Sequence, residues 1–139
     1  MAKLMVEPPT DLIRKIERLK EGVDKIAPAV LDAGMDVLER NLSRNLQRHR
    51  RTGELIRSIK RRKGKKDKKG VWRMFTGPTG KDPETEVPNM QKLMALEYGT
   101  SKGQQAAHVI QNAVKTSETP ANAAMQEAFD RETKQLIGG

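Results

Sequence analysis

The stretch from Arg44 to Lys69 constrains the fold of this chain more than any other. It carries 13 of the 27 Lys and Arg residues against two acids, Glu54 and Asp67, for a net charge of +11. The whole chain is +9, so everything outside the stretch sums to −2. A segment this cationic cannot be core. It must lie in solvent or against an anionic partner. The core has to come from the near-neutral remainder.

That remainder is poor in aromatics, with only Trp72, Phe75, Tyr98 and Phe129. Leu, Ile, Val, Met and Ala must therefore do the packing. The chain is 35% hydrophobic and 32% charged over 139 residues. A single domain over 1–139 with a modest core is expected, marginally stable alone and suited to gaining burial from partners. No stretch approaches the roughly 20 apolar residues of a membrane span, so no membrane is expected. The first residues lack an apolar signal core. There is no cysteine, so disulfides, thiol catalysis and thiolate zinc sites are excluded.

Hydrophobic spacing predicts the elements. Thr10 or Asp11 can cap a helix in which Leu12, Ile13, Ile16, Leu19, Val23 and Ile26 share one face. Pro28 is expected to break or re-aim it. A second helix starts near Pro28, with Val30, Leu31, Gly34, Met35, Val37, Leu38, Leu42 and Leu46 as its stripe, and ends near Arg50 or Arg51. Gly53 is a plausible stop. Leu55 to Arg62 reads as the start of a strand, and Gly64 to Gly70 as a solvated basic loop at about 60–70. Val71 to Thr76 is a second strand, followed by turn chemistry in Gly77-Pro78-Thr79-Gly80. Met90 to Tyr98 fits a helix or a strand end. Ala106 to Val114 is a short helix, and Thr119-Pro120 opens the last one. The class is α+β: N-terminal helices, a small antiparallel sheet of three or four strands, and a C-terminal helix.

Catalytic signals are weak. His49, between Arg48 and Arg50, marks an exposed helix end. His108 stands alone, and the two histidines have no metal-ligand spacing. Gly77-Pro78-Thr79-Gly80-Lys81 lacks the full phosphate-loop pattern, since Asp82 follows the lysine. No catalytic, cofactor-binding or metal residue is assigned, and no cofactor is expected. The basic strip, Arg61, Arg62, Lys63, Lys65, Lys66, Lys68 and Lys69, is the candidate contact with DNA or with an acidic protein. Trp72 and Phe75 alternate with Arg73 and Met74, which suits core or interface better than a stacking platform.

Two blocks carry a resemblance. The first is Arg51-Thr52-Gly53-Glu54-Leu55-Ile56-Arg57-Ser58-Ile59, after an amphipathic helix. The second is Leu96-Glu97-Tyr98-Gly99-Thr100-Ser101-Lys102, and a final helix holds Ala128-Phe129-Asp130. In order and spacing the chain resembles the tail-completion, or neck, family of tailed bacteriophages and is similar to the minor tail protein Z group. The long link from Gly103 to Glu118 departs from the Pro-rich entry usual in that family, and the basic loop is heavier than usual.

The resemblance implies a non-enzymatic virion protein at the head-tail junction, assembled in the host cytoplasm. It would act as a tail-completion, terminator or neck component in a six-fold ring of like copies. Its neighbours would be neck and tail-tube proteins, with DNA in the lumen within reach. Arg51, Thr52, Gly53, Leu55, Ser58, Ile59, Glu97, Tyr98, Gly99 and Thr100 would then be structural. Tyr98 is expected to lay its ring on the Val30–Leu46 helix. A small basic nucleic-acid-binding protein is the alternative.

Overall fold

A computed structural model describes residues 4–6, Thr10, 22–49 and 53–137. Its elements are β1 (Leu4–Val6), α1 (Val23–Gln47), α2 (Glu54–Arg57), β2 (Ile59–Arg61), β3 (Lys65–Lys66), β4 (Trp72–Pro78), α3 (Asn89–Tyr98) and α4 (Val109–Ile137). The class is α+β, as expected from the sequence.

The pair α1 and α4 makes the main core. On α1 the buried residues Ile26, Val30, Leu31, Met35, Leu38, Leu42 and Leu46 recur at steps that keep one stripe inward. On α4 the facing stripe is Val109, Ala113, Ser117, Ala121, Met125, Ala128 and Phe129. Its first half is small, so the two helices can approach closely there. Polar links fix the alignment. Asn41 Nδ2 donates to Ser117 Oγ at 2.8 Å, and Asn45 Nδ2 donates to the Val109 carbonyl at 3.1 Å.

Strand β4 is the spine of the sheet. It pairs antiparallel with β1 on one side and with β2 and β3 on the other. Its side chains alternate: Met74, Thr76 and Pro78 are buried, while Arg73, Phe75 and Gly77 are only partly covered. Met74 joins the core cluster beside the α1 residues, so the Met74–Thr76 face is the one turned to α1.

Several expectations change. The predicted first helix lies mostly outside the described residues. Its last residues, Val23 to Ile26, belong to α1, which runs through Pro28 without breaking. Proline there removes only the bond to the Asp24 carbonyl, on an exposed residue that water can serve. Buried Ile26, Ala27, Val30 and Leu31 hold the helix on both sides. The same applies to Pro120. The two expected C-terminal helices are one, because Val109, Ala113 and Ser117 already bury against α1 and Pro120 sits on the exposed side.

Leu55 to Arg62 is not one strand. Left-handed Gly53 (φ 79°) starts a helical turn, and Ser58 closes it. Only Ile59–Arg61 is extended. Gly64 to Gly70 is a hairpin rather than a plain loop, with Lys65 opposite Arg73 and Lys66 opposite Trp72. Gly77 and Pro78 finish β4 instead of turning; the chain turns at Gly80, whose φ is +69°. Met90 to Tyr98 is helical.

Candidate functional site

The first motif block is a corner that joins helix to sheet. Arg51 and Thr52 lie outside the described residues. Gly53 supplies the left-handed backbone that a side chain would oppose. Leu55 and Ile59 pack partly buried against the core. Ser58 is buried, and its hydroxyl donates to the Leu55 carbonyl at 2.6 Å. The Ser58 carbonyl accepts two bonds from Thr79, from its N–H and its hydroxyl, both at 2.8 Å. One serine thus ends α2 and pins the end of β4.

The second block is built around Glu97. Leu93 and Glu97, four residues apart, both point inward from α3. The Glu97 side chain reaches the start of α4, where Oε1 accepts the N–H groups of Ile110 at 2.7 Å and Gln111 at 3.3 Å. A carboxylate on those free donors at the positive helix end is a cap contributed from another element. His108 Nδ1 lies 4.0 Å from Glu97 Oε2. Gly99 (φ +78°) turns the chain so tightly that a Cβ there would meet the Gln104 carbonyl oxygen at 2.8 Å. Thr100 closes the loop, exchanging backbone bonds with Gln104 and Gly103.

Tyr98 does not behave as expected. It is 68% exposed and does not rest on α1. The reason is rotational. Glu97 points inward, and the next residue on a helix is turned by about 100°. Within one motif, Glu97 is 4% exposed and its neighbour is the most exposed large apolar side chain among the described residues.

The basic strip is divided by the pleat. Arg61 is opposite Thr76, on the α1 face. Its guanidinium pairs with Asp32 at 3.1 Å and Asp36 at 2.7 Å, and Nε donates to Glu39 at 3.2 Å. Thr76 Oγ1 donates to the same Glu39 at 2.8 Å. Burial disfavours the Arg61 charge, but the bonds to Glu39, Asp36 and Asp32 outweigh it and raise its pKa above the ordinary arginine value. Lys66, also on the α1 face, reaches Asp24 at 3.5 Å. These two cations clamp hairpin to helix. The sequence reading grouped them with the contact residues. The acids at 32, 36 and 39, stacked along one face of α1, were the signal that could have separated them.

Lys60, Arg62, Lys63, Lys65, Lys68 and Lys69 are exposed and have no ion pair among the described residues. Asp67, the acid of the hairpin, is occupied. It accepts the N–H groups of Lys69 at 2.8 Å and Val71 at 2.9 Å, and lies 3.6 Å from Arg73. The bond from Val71 and then that from Lys69 hold its carboxyl below the usual range.

A half-open groove of about 480 Å³ lies between the end of α1, α2, α3 and the 82–87 loop. Leu46, Leu55, Ile56, Ala95 and Leu96 line it, and Asp82 is tied to Lys92 at its edge. His49 is on its rim, exposed. Among the described residues no His, Asp and Glu side chains gather as a metal would require, and no helix is long and apolar enough to cross a membrane.

Residues 10–77 match the model of a family described as "Bacteriophage HK97-gp10, putative tail-component". Over that stretch the chain is similar to the HK97-gp10-like family. The match takes in α1, the Gly53–Ile59 corner and the basic hairpin as far as β4, and stops before the Glu97 block. No curated protein and no solved structure matches the chain. That description is of a putative phage tail component and names no enzyme activity.

Proposed function

We propose that the protein is a phage tail component that acts at the end of the tail that meets the head, as a subunit of a closed ring that completes the tail or joins it to the filled head. The family match carries the reading. The shape of the molecule supports it. Its stability is concentrated in one helix pair, and an aromatic side chain is left bare beside a rigid corner. A ring of like copies would bury such a side chain at each repeated contact. Ring copy number follows from geometry between copies, so six-fold closure is part of the proposal and not of the fold. Neighbouring neck and tail-tube proteins would take the two faces of the ring.

Electron microscopy of particles made without this protein tests the reading. The expected result is DNA-filled heads and tails that fail to join, or tails with defective ends. Normal infectious particles would sink it.

A further inference from the structure

We infer that the exposed face of the β2–β3–β4 hairpin is a binding site for the phosphate backbone of double-stranded nucleic acid. The pleat makes the case. Lys60 stands opposite Gly77, the Arg62 N–H bonds the Phe75 carbonyl, and Lys65 stands opposite Arg73. Three cations therefore occupy successive two-residue steps along one face of β4, about 6.8 Å apart. That is about twice the axial spacing of phosphates along one strand of a duplex, ~3.4 Å. The opposite face carries the cations already neutralised by α1, Arg61 and Lys66. The fold has thus sorted one charge strip into a clamped set and a free set. Lys63, Lys68 and Lys69 add reach from the loops at the hairpin ends.

The free set suits phosphate better than an acidic protein surface. Lysine is depleted from the cores of protein interfaces, where aromatic anchors dominate. This face offers Phe75, already partly covered, and otherwise long flexible cations. Phosphate contact needs no more than that. A single strand would call for exposed rings on which bases can stack. Trp72 lies on the α1 side, opposite Lys66, so it offers no such platform. The cations of this face lie on strands and loops rather than on a helix that could enter a groove, so binding is independent of sequence. The inference does not depend on ring assembly or on position in the tail.

The test is equilibrium binding of the full chain to a short random-sequence DNA duplex between about 50 and 200 mM salt. Polyglutamate is run in parallel as the acidic-polypeptide probe. The wild type should bind the duplex with log K falling linearly in log salt. The triple variant Lys60→Gln, Arg62→Gln, Lys65→Gln should reduce the magnitude of that slope by about 3, one per lost phosphate contact. Lys115→Gln with Lys134→Gln, on exposed α4 positions, should leave it unchanged. If the first variant does not melt like the wild type, Lys63→Gln, Lys68→Gln, Lys69→Gln is judged by the same criterion. Binding to polyglutamate but not to duplex overturns the inference. So does a hairpin variant with unchanged slope and affinity, or an α4 control that loses as much.

Discussion

The α1–α4 helix pair and the basic hairpin hold the molecule together by different physics. The helices bury continuous apolar stripes, and their two side-chain hydrogen bonds set alignment more than strength. The hairpin buries only Met74, Thr76 and Pro78 of β4 and is held to α1 by one guanidinium, one lysine and the Thr76 bond to Glu39. Hydrophobic burial is not weakened by charge screening, whereas partly exposed ion pairs are. Global stability should therefore live in the helices, and the hairpin should respond to charge and ionic strength while the helices do not.

The largest expected effect is in the helix pair. Leu42 has no exposure, in the C-terminal third of α1. Leu42→Ala removes its side chain and leaves a cavity, and should cost about 2–5 kcal/mol. Urea unfolding measures it. A loss of under about 1 kcal/mol, a surface-like value, would mean that the α1–α4 interface is not the core.

Gly99→Val should come next. The residue has a positive φ, and any Cβ there meets backbone oxygen and nitrogen of the 104–106 segment, which cannot swing aside as a side chain can. Strain of this kind costs about 1–3 kcal/mol. Because the same corner aims Glu97 at α4, amide exchange at Ile110 and Gln111 should accelerate with it. Gly103→Ala, also at positive φ but in open space, should cost less. Equal losses at the two glycines would remove the close approach as the cause.

Arg61→Ala probes the hairpin side. It leaves Glu39, Asp36 and Asp32 facing one another, but all four side chains keep some solvent contact. About 1–2 kcal/mol is expected, between the values for surface and buried pairs. The part of it due to charge should shrink in salt. Acid offers a second probe. The folded pKa values of Asp67 and Asp82 are lowered, by the Val71 and Lys69 N–H groups in one case and chiefly by Lys92 in the other. Their contribution is complete above the unfolded carboxylate value of about 3.9 and is lost as pH falls through the lower folded values. Amide exchange at Lys69 and Val71 should rise there in the native protein and not in Asp67→Asn. A rise in both would mean that another group controls the turn.

The helices were legible because burial repeats with the helical period: Val30 to Leu46 named its own inward face. The class and the order of elements followed. What misled was punctuation read locally. Pro28 and Pro120 look like helix boundaries, yet each removes one bond at an exposed carbonyl while burial continues on either side. The hairpin was hidden for the opposite reason. Lys65-Lys66 has no apolar signal, and it is extended because Asp67 organises the turn and β4 supplies the partner strand. The candidate site was legible as charge but not as two sets of charges, since the division between Arg61 and Lys60 depends on strand register. Glu97 was found as a motif residue, but its role as the cap of α4 required the fold.

The smallest expected effect on stability is at Tyr98, and it separates folding from assembly most cleanly. Glu97 and Tyr98 are adjacent in one motif, and the helix turns them to opposite environments. Glu97→Ala strips the start of α4 of its carboxylate acceptor and should destabilise by about 1 kcal/mol, the usual worth of a cap. Tyr98→Ala removes a ring that is mostly in water, opens no cavity, and should change stability by no more than about 0.5 kcal/mol. If the proposed ring is real and Tyr98 is one of its anchors, this same change should abolish or sharply reduce oligomers seen by light scattering. It should also leave tails that do not join heads, while the melting curve stays that of the parent. Aromatic anchors at interfaces commonly cost about 2 kcal/mol or more when truncated, enough to empty a weak ring. A Tyr98→Ala protein that assembles normally would leave the exposed ring without a role in the contact between copies. One that melts early would return Tyr98 to the fold, where the sequence alone had put it.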